Sequence, residues 1–377
     1  ASSTTAPPEC TITEEDDCYQ MYTSGTTGRP KGAVLTHRAV GVHLQQVDVS
    51  LRAALGERWL LAVPAFHAVG AVVTFECVAT GGCLVIHADF NPVEVVRALS
   101  EEAIAITMLV PAMIQACLGV PESAQRRYPQ LRAMLYGASP IAEPTLRRAL
   151  AVFGCDFSQG YGMTEACAGI TLLTPADHRR AVTDTPKLCL SAGRPCLGVE
   201  VRIVDTEDNP LPPGQTGEIV VRGPQLMRGY WKLPEASAEA LRSGWLHTGD
   251  AGAMDEEGYL YILDRVKDMI VTGGENVYPR EVEDVLFAHP AVVDAAVIGV
   301  PDERWGETVK AVVVLRPDAA ATPEAIIAFC RTKLGGYKLP RSVEFVASLP
   351  RNPAGKVLKR ELRERYWAGH ARHVAGA

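Results

Sequence analysis

Short apolar runs alternate with amphipathic stretches over the first two thirds of the chain. Residues 97–118 combine a helical pattern with an apolar strand at 104–110, which Pro111 closes. Further apolar strands are predicted at 17–22 and 155–159. Strands that alternate with helices in this way are typical of a layered α/β sheet. The pattern therefore predicts a large N-terminal α/β domain.

The most apolar region, residues 60–86, is interrupted by turn-forming and polar residues. Pro64, His67, Glu76 and the glycine pair 81–82 all fall within it. A membrane-spanning helix needs about 20 consecutive apolar residues, and these interruptions come too often for one. The region is predicted to form buried strand and helix.

The last third of the chain predicts a smaller α+β domain. A helix begins at Pro279 with acidic residues in its first turns, and strands follow at 291–300 and 310–315. Thr322 is the predicted cap of a helix that runs to about residue 334. The apolar stripe of the helix at Pro279 consists of Val282, Val285 and Leu286. About a hundred residues suit a compact lid domain.

Composition narrows the class of protein. With 377 residues, the chain exceeds one ordinary domain. Its net charge of −7 and sequence pI near 5.8 argue against a nucleic-acid binder. Ten cysteines without a C-x-x-C pair indicate reduced thiols and a cytoplasmic protein. No signal-peptide pattern opens the sequence, and residues 1–9 are interpreted as a linker.

One loop carries the strongest candidate chemistry. Residues 22–32 read Tyr-Thr-Ser-Gly-Thr-Thr-Gly-Arg-Pro-Lys-Gly, and the loop is predicted to lie between the strand at 17–22 and a helix that starts at Val34. Glycines, hydroxyls and one lysine can surround a phosphate, although the Walker pattern is not met. Taken alone, the stretch is an ordinary solvated turn. The candidate phosphate-binding residues are Thr23, Ser24, Gly25, Thr26, Thr27, Gly28 and Lys31.

This loop resembles the signature loop of the acyl-adenylate-forming superfamily, which includes acyl-CoA synthetases, luciferase and peptide-synthetase adenylation domains. The resemblance implies that the loop surrounds the β- and γ-phosphates of ATP. It also implies an adenine site at Gly137, Ala138 and Ser139, which follow a predicted strand. Taken alone, those three residues would be a plain strand-to-helix turn.

A second motif, Tyr-Gly-Met-Thr-Glu at 161–165, follows the strand predicted at 155–159. An aromatic ring, a hydroxyl and a carboxylate suit adenine stacking, a phosphate oxygen and Mg²⁺. By resemblance, Tyr161 stacks on adenine, Thr164 contacts the α-phosphate and Glu165 holds the metal. His67 falls where the family places a residue beside the acyl pocket; a lone His in an apolar run is more often a core residue.

The family resemblance continues through the boundary between the domains. Asp250 can accept hydrogen bonds from both ribose hydroxyls, and Arg265 is placed near the ribose or phosphates. Lys267 matches the family's hinge position, which divides the chain into a large partial adenylate-binding domain at 1–266 and a mobile domain at 267–377. A surface charge cluster is the alternative for Lys267.

Two glycines and a lysine of the second domain complete the predicted site. Gly273 and Gly274 lie in a predicted flexible loop at 272–276 and are placed beside the pantetheine channel. Lys356 occupies the position of the lysine that contacts the substrate carboxylate and the α-phosphate. Asn352 and Ala354 depart from the Thr and Ser more usual in that loop.

The resemblance is strongest to fatty acyl-CoA synthetases. It implies ATP, Mg²⁺ and CoA, acyl-AMP formation with release of pyrophosphate, and transfer of the acyl group to CoA. The alternatives are an aryl-CoA ligase, a module that loads an acyl carrier protein, and an inactive relative that acts as a binding module. The family's long N-terminal portion does not precede the phosphate loop in this sequence, which fits either a naturally short relative or a fragment. In either case, a homodimer or partner is expected to cover the apolar surface that this portion normally covers.

Overall fold

The computed structural model describes residues 10–23, 30–139, 141–351 and 357–368. Contacts within the chain divide it into two compact units. The first unit contains Ala1–Arg202, Val220–Thr248 and Met254–Tyr261. The second unit contains Ile203–Ile219, Gly249–Ala253 and Ile262–Ala377. The domain boundary predicted between residues 266 and 267 stays a prediction.

In the described residues, the strands in chain order are β1 (Asp17–Thr23), β2 (Lys31–Thr36), β3 (Arg58–Leu61), β4 (Cys83–Ile86), β5 (Ile104–Leu109), β6 (Ala133–Gly137), β7 (Asp156–Tyr161), β8 (Thr171–Leu173), β9 (Arg194–Pro195), β10 (Glu200–Val204), β11 (Gly217–Arg222), β12 (Gly229–Tyr230), β13 (Leu246–Met254), β14 (Leu260–Arg265), β15 (Ile270–Thr272), β16 (Glu275–Val277), β17 (Val292–Asp302), β18 (Gly306–Leu315) and β19 (Ser342–Phe345).

The helices in the same order are α1 (His37–Leu51), α2 (Ala68–Ala79), α3 (Pro92–Glu101), α4 (Pro111–Gly119), α5 (Glu143–Phe153), α6 (Pro175–Thr183), α7 (Pro234–Ala240), α8 (Pro279–Phe287), α9 (Pro323–Arg331) and α10 (Lys359–Trp367). None of the described helices combines the length and the apolar character needed to cross a membrane.

A seven-stranded sheet forms the centre of the first unit, with strand order β4-β3-β5-β6-β7-β8-β9. In this order, the five strands from β4 to β7 are parallel. β8 pairs antiparallel with β7, and β9 pairs antiparallel with β8. Helices separate the parallel strands along the chain, as parallel pairing requires. Ile104, Leu109, Tyr136 and Phe157 are completely buried between the layers. The predicted layered α/β fold is confirmed.

The segment around the predicted phosphate loop differs from the prediction. Strand β2 continues to Thr36, and α1 begins at His37 with the Thr36 hydroxyl accepting a hydrogen bond from the Ala39 amide. The helix predicted from Val34, and with it the strand-to-helix junction, is therefore wrong. Val34 pairs antiparallel with both β1 and β12. β1 was predicted to be buried but is half exposed, because its side chains alternate between intermediate and exposed positions.

The second unit contains a sheet of order β16-β15-β18-β17, with β19 parallel to β18. The predicted α+β class is confirmed. The strand predicted at 291–300 overlaps β17, which begins one residue later, and the strand predicted at 310–315 lies within β18. The predicted helix at Thr322 is α9, and the Thr322 hydroxyl caps it; it ends at Arg331, before the predicted end near residue 334. The buried core side chains of the second unit include Val297, Val313, Ile326 and Cys330.

Residues 272–276 form a tight hairpin and not the predicted flexible loop. β15 and β16 pair antiparallel, and Gly273 and Gly274 make the turn between them. Their φ angles are +59° and +85°. Two consecutive positive φ angles match the favoured two-residue hairpin turn, which strongly prefers glycine.

A further sheet has strand order β10-β11-β13-β14.

Candidate active site

A buried carboxylate, a tyrosine and a lysine come together in the first unit. Glu165 lies in the short 3₁₀ turn Thr164–Ala166 and is 5% exposed. The Tyr230 hydroxyl donates a hydrogen bond to its Oε1 atom at 2.8 Å. The Lys31 ammonium nitrogen lies 5.0 Å from the centroid of the Tyr230 ring. Predicted phosphate and metal residues thus share one neighbour, Tyr230.

Three segments bring these groups together. Lys31 begins β2, and Tyr230 ends β12, which pairs antiparallel with β2 through Tyr230 and Ala33. The Met227 amide, just before β12, donates to the Glu165 carbonyl oxygen at 2.8 Å. The segment that contains β12 therefore fixes Glu165 through its backbone and its side chain.

The turn that carries Thr164 and Glu165 is tightly specified. Cys167 and Ala168 have φ angles of +51° and +76°, which non-glycine residues rarely adopt. A Cβ atom at Gly162 would lie 2.2 Å from the Ala168 carbonyl oxygen. Backbone strain of this kind persists only where the surroundings enforce it, and it concentrates at functional sites.

The predicted adenine residues meet at the ends of two parallel strands. Gly137 ends β6 and is paired in register with Gly160, the residue before Tyr161 in β7. A Cβ atom at Gly137 would lie 2.7 Å from the Gly160 carbonyl oxygen, so only glycine fits there. Ala138 and Ser139 follow as exposed residues, and Ala138 has a φ angle of +66°. The carboxyl ends of parallel strands are where α/β proteins bind ligands.

The predicted phosphate loop is described only at its base. Thr23 pairs with Lys31 across the β1–β2 ladder, and its hydroxyl donates to the Lys31 carbonyl oxygen at 3.4 Å. The remaining predicted residues, Ser24, Gly25, Thr26, Thr27 and Gly28, lie outside the described residues, as do Asn352, Ala354 and Lys356.

His67 precedes α2 and is partly buried. Its ring centroid lies 4.6 Å from that of Phe66, which is 68% exposed. The pair forms an aromatic surface at the N-terminus of α2, in the region predicted to border the acyl pocket.

The second unit pairs two of the predicted ribose and phosphate residues. The Arg265 Nε atom lies 2.9 Å from Asp250 Oδ1. The Asp250 side chain is mostly buried, and the neighbouring Gly249 amide donates to Glu218 Oε1 at 3.0 Å. A carboxylate offers about four lone-pair directions, which is the chemistry that the predicted contact with two ribose hydroxyls requires.

Lys267 lies in the 3₁₀ turn Val266–Asp268, in the second unit. Burial, together with the nearby Arg265 and Arg363, lowers the pKa of its ammonium group to about 8. Asp268 and Asp250 act in the opposite direction. The predicted hinge residue therefore changes its charge close to neutral pH.

The two predicted channel glycines differ in their surroundings. The Gly273 amide donates to the Trp305 carbonyl oxygen at 2.8 Å, and a Cβ atom at Gly273 would lie 2.7 Å from the Trp305 ring. A Cβ atom at Gly274 would meet open space. Gly273 is needed for close packing, whereas Gly274 faces a region that a ligand can enter.

The donor set fits Mg²⁺ that arrives with a nucleotide. Among the described residues, no group of three or more His, Cys, Asp or Glu side chains could hold a metal by itself. Mg²⁺ usually binds through one or two carboxylates and completes its octahedron with phosphate oxygens and water. Glu165 supplies one such carboxylate.

The sequence prediction missed Tyr230. This residue lies 65 positions from Glu165 along the chain. An isolated Gly-Tyr-Trp stretch carries no signal for a contact at that distance. Only the pairing of β12 with β2 brings Tyr230 to the site.

Comparison with known proteins identifies the class. The family model of AMP-binding enzymes matches residues 1–231, and the model of the AMP-binding enzyme C-terminal domain matches residues 281–356. The chain therefore belongs to the AMP-binding enzyme family. The resemblance to the acyl-adenylate-forming superfamily is confirmed.

Two relatives and one solved structure show which enzymes the chain is similar to. The chain is 44% identical to a feruloyl-CoA synthase of an Amycolatopsis species, over 96% of this chain and 72% of the synthase. It is 41% identical to a fatty acid–acyl-carrier-protein ligase of Streptomyces coeruleorubidus, over 98% of this chain and 71% of the ligase. The structure of o-succinylbenzoate coenzyme A synthetase from Bacillus subtilis with ATP and magnesium is similar at a TM-score of 0.86 and 33% identity, covering 96% of this chain and 73% of that one.

Proposed function

We propose that this chain activates a carboxylic acid with ATP, releasing pyrophosphate and forming acyl-AMP, and then transfers the acyl group to CoA. The observation that carries this proposal is the family match in both parts of the chain, at residues 1–231 and 281–356. Adenylate-forming CoA ligases use ATP, Mg²⁺ and CoA, and the site chemistry suits all three.

The chemical problem of the first step is the repulsion between a carboxylate and a triphosphate. Lys31 offers a cation, and Thr164 offers a hydroxyl for the α-phosphate. Glu165 would hold Mg²⁺, which supplies positive charge next to the phosphates when bound. Tyr230 orients the Glu165 carboxylate, so that this group does not have to reorganise during the reaction.

We assign nucleotide-recognition roles within each unit by itself. In the first unit, Tyr161 stacks on adenine, and the backbone at Gly137, Ala138 and Ser139 allows the ring a close approach. In the second unit, Asp250 accepts hydrogen bonds from the ribose hydroxyls, and Arg265 holds the Asp250 carboxylate in place. His67 and Phe66 border the acyl chain.

The acid we propose is a fatty acid, and the thiol is CoA. The similarity to a feruloyl-CoA synthase favours an aryl acid as the second candidate. The similarity to a fatty acid–acyl-carrier-protein ligase supports the fatty acid but makes a carrier protein the alternative thiol. A panel of alkyl and aryl acids, each tested with CoA and with a carrier protein, separates these options from one another and from an inactive binding module.

Lys356→Ala tests the assignment of the first half-reaction. We expect the variant to lose acyl-AMP formation, measured by ATP–pyrophosphate exchange, because the positive charge of Lys356 is needed when the two anions meet. Thioester formation from supplied acyl-AMP should stay largely intact. Lys333→Ala, which removes an exposed lysine of the second unit, should change neither rate. An equal loss of both half-reactions in Lys356→Ala would contradict the assignment.

We also propose a cytoplasmic enzyme that forms homodimers. All ten cysteines are free thiols, which suits a reducing compartment. Among the described strands, β4 lies at one edge of the seven-stranded sheet, and its Ile86 is 63% exposed. Exposed edge strands tend to pair with other chains. Sedimentation of the purified chain measures its state of association directly.

A further inference from the structure

Two cations of α10 are buried against the predicted hinge segment, within the second unit. Lys359 and Arg363 are four residues apart and therefore share one face of the helix. The Lys359 Nζ atom lies 3.4 Å from Asp264 Oδ2, and Arg363 donates to Asp268 Oδ1 at 2.7 Å. The four side chains are 9–14% exposed. We call this group, together with Glu283, the α10 clasp.

Two of the three acids of the α10 clasp, Asp264 and Glu283, also accept hydrogen bonds from backbone amides. The Asp264 carboxylate accepts hydrogen bonds from the Arg265 amide at 2.7 Å and the Arg280 amide at 2.9 Å. Glu283 lies 2.9 Å from Lys359 and accepts a hydrogen bond from the Val297 amide at 2.7 Å. The clasp therefore joins the end of β14, the start of α8, β17 and α10.

The pKa values of the clasp residues reflect these ion pairs. Burial alone would lower the pKa of Lys359, but Glu283 and Asp264 raise it above its ordinary value. Burial would raise the pKa of Asp268, but Arg363 and the two neighbouring lysines bring it below its ordinary value. The pKa shifts of Lys359 and Asp268 therefore both favour their charged forms, whereas burial raises the pKa of Glu283. Buried ion pairs contribute little net stability, although they can fix one arrangement of the elements they join.

The α10 clasp is also connected to the base of the segment that contains Lys356. Arg351 and Val357 form an antiparallel bridge across residues 352–356. The Leu358 amide donates to the Pro350 carbonyl oxygen at 2.8 Å, directly before α10 begins. Apolar packing of Leu362 also fastens α10 to its neighbours.

We propose that Lys359 and Arg363 are positioning residues that make the hinge segment 264–268 and the base of the Lys356 loop move as one body. This inference rests on the proposed function, because it assigns Lys356 to the adenylation step. Removing one cation of the α10 clasp leaves a buried carboxylate without that partner and lets the relative placement of the two segments vary. Adenylation, the step assigned to Lys356, is then slowed, whereas thioester formation does not require that residue.

The test compares Lys359→Met and Arg363→Met with Arg360→Met. Arg360 is a matched control, because it lies on the same helix but is 60% exposed and pairs with the exposed Glu364. We expect adenylation in the two clasp variants to fall by about tenfold to a hundredfold, the loss typical of a misplaced catalytic group. Thioester formation from supplied acyl-AMP should fall much less. Arg363→Lys keeps the charge and should recover most of the adenylation rate.

Amide hydrogen exchange gives a readout that does not depend on activity. In each clasp variant, exchange of the Arg280 and Leu358 amides should rise together, while the β17–β18 ladder keeps its protection. Arg360→Met should leave all of these amides unchanged. Equal loss of both half-reactions, or no loss in a folded clasp variant, overturns the inference. If the wild-type chain forms no acyl-AMP, the proposed function fails. The role of the α10 clasp is then tested by amide exchange alone, and exchange that rises at only one of the Arg280 and Leu358 amides overturns it.

Discussion

Tyr230→Phe removes one hydroxyl from the candidate active site and leaves the rest in place. The lost group donates to Glu165 Oε1 at 2.8 Å. The aromatic ring stays, so the contact of Lys31 with its face, 5.0 Å from the centroid, is kept. Because Glu165 is only 5% exposed, water has little room to replace the missing donor.

The expected loss follows from the nature of this hydrogen bond. A hydrogen bond to a charged group contributes about 1.5–3 kcal/mol. Since about 1.4 kcal/mol corresponds to a factor of ten, the loss is about tenfold to a hundredfold. We expect this loss to appear as a weaker apparent affinity of the enzyme for Mg²⁺ during adenylation, because Tyr230 acts by orienting the Glu165 carboxylate. Most of the rate should return at high Mg²⁺ concentration.

The assay is ATP–pyrophosphate exchange over a series of Mg²⁺ concentrations. A second pair of proteins carries Glu165→Gln, with and without Tyr230→Phe. If the hydroxyl acts through the Glu165 carboxylate, adding Tyr230→Phe to the Glu165→Gln variant should cost less than about twofold. A Tyr230→Phe enzyme with unchanged Mg²⁺ dependence would refute the reasoning. So would an equal loss in both backgrounds.

Two further predictions concern buried titratable groups. The reaction of Lys267 with acetic anhydride should have a pH midpoint of about 8, because burial lowers the pKa of its ammonium group from 10.5. Mass spectrometry of the labelled peptide measures the extent of reaction at each pH. A midpoint near 10.5 would contradict the lowered pKa. Glu76 is 1% exposed, and burial raises its pKa from 4.5 to about 7. The folded state therefore keeps this proton between those pH values while the unfolded chain releases it, so the wild-type unfolding free energy falls relative to that of Glu76→Gln as pH rises. Denaturation at several pH values should show a change in this difference of about 3 kcal/mol; a constant difference would rule out the shift.

The layered α/β fold was predictable because its signal is local. Apolar runs such as 104–110 are bounded by Pro and by helical patterns, and each stage of the sheet repeats this rhythm. The prediction of a helix at Val34 was wrong for a physical reason. A short apolar run suits a buried helix or a buried strand equally well, and here antiparallel pairing with β1 along the whole of β2, extended by β12 almost two hundred residues later, makes it a strand.

Some residues of the candidate site could be located from the sequence, and others could not. Motif residues such as Glu165 and Asp250 carry their chemistry in the local sequence, so the family resemblance could locate them. Tyr230 and the α10 clasp depend on contacts between distant segments, and Arg363 lies 95 residues from its partner Asp268. The hairpin turn at Gly273 and Gly274 is a different case: the Gly-Gly signal was present locally and indicates a tight turn.

The central claim is that the chain makes acyl-AMP and passes the acyl group to a thiol. Mass spectrometry of the products tests it directly, after incubation of the purified chain with ATP, Mg²⁺, CoA and a mixture of alkyl and aryl carboxylic acids. We predict AMP, pyrophosphate and one dominant acyl-CoA, with acyl-AMP accumulating when CoA is left out. Formation of ADP and phosphate, or the absence of acyl-AMP with every acid, would contradict the account.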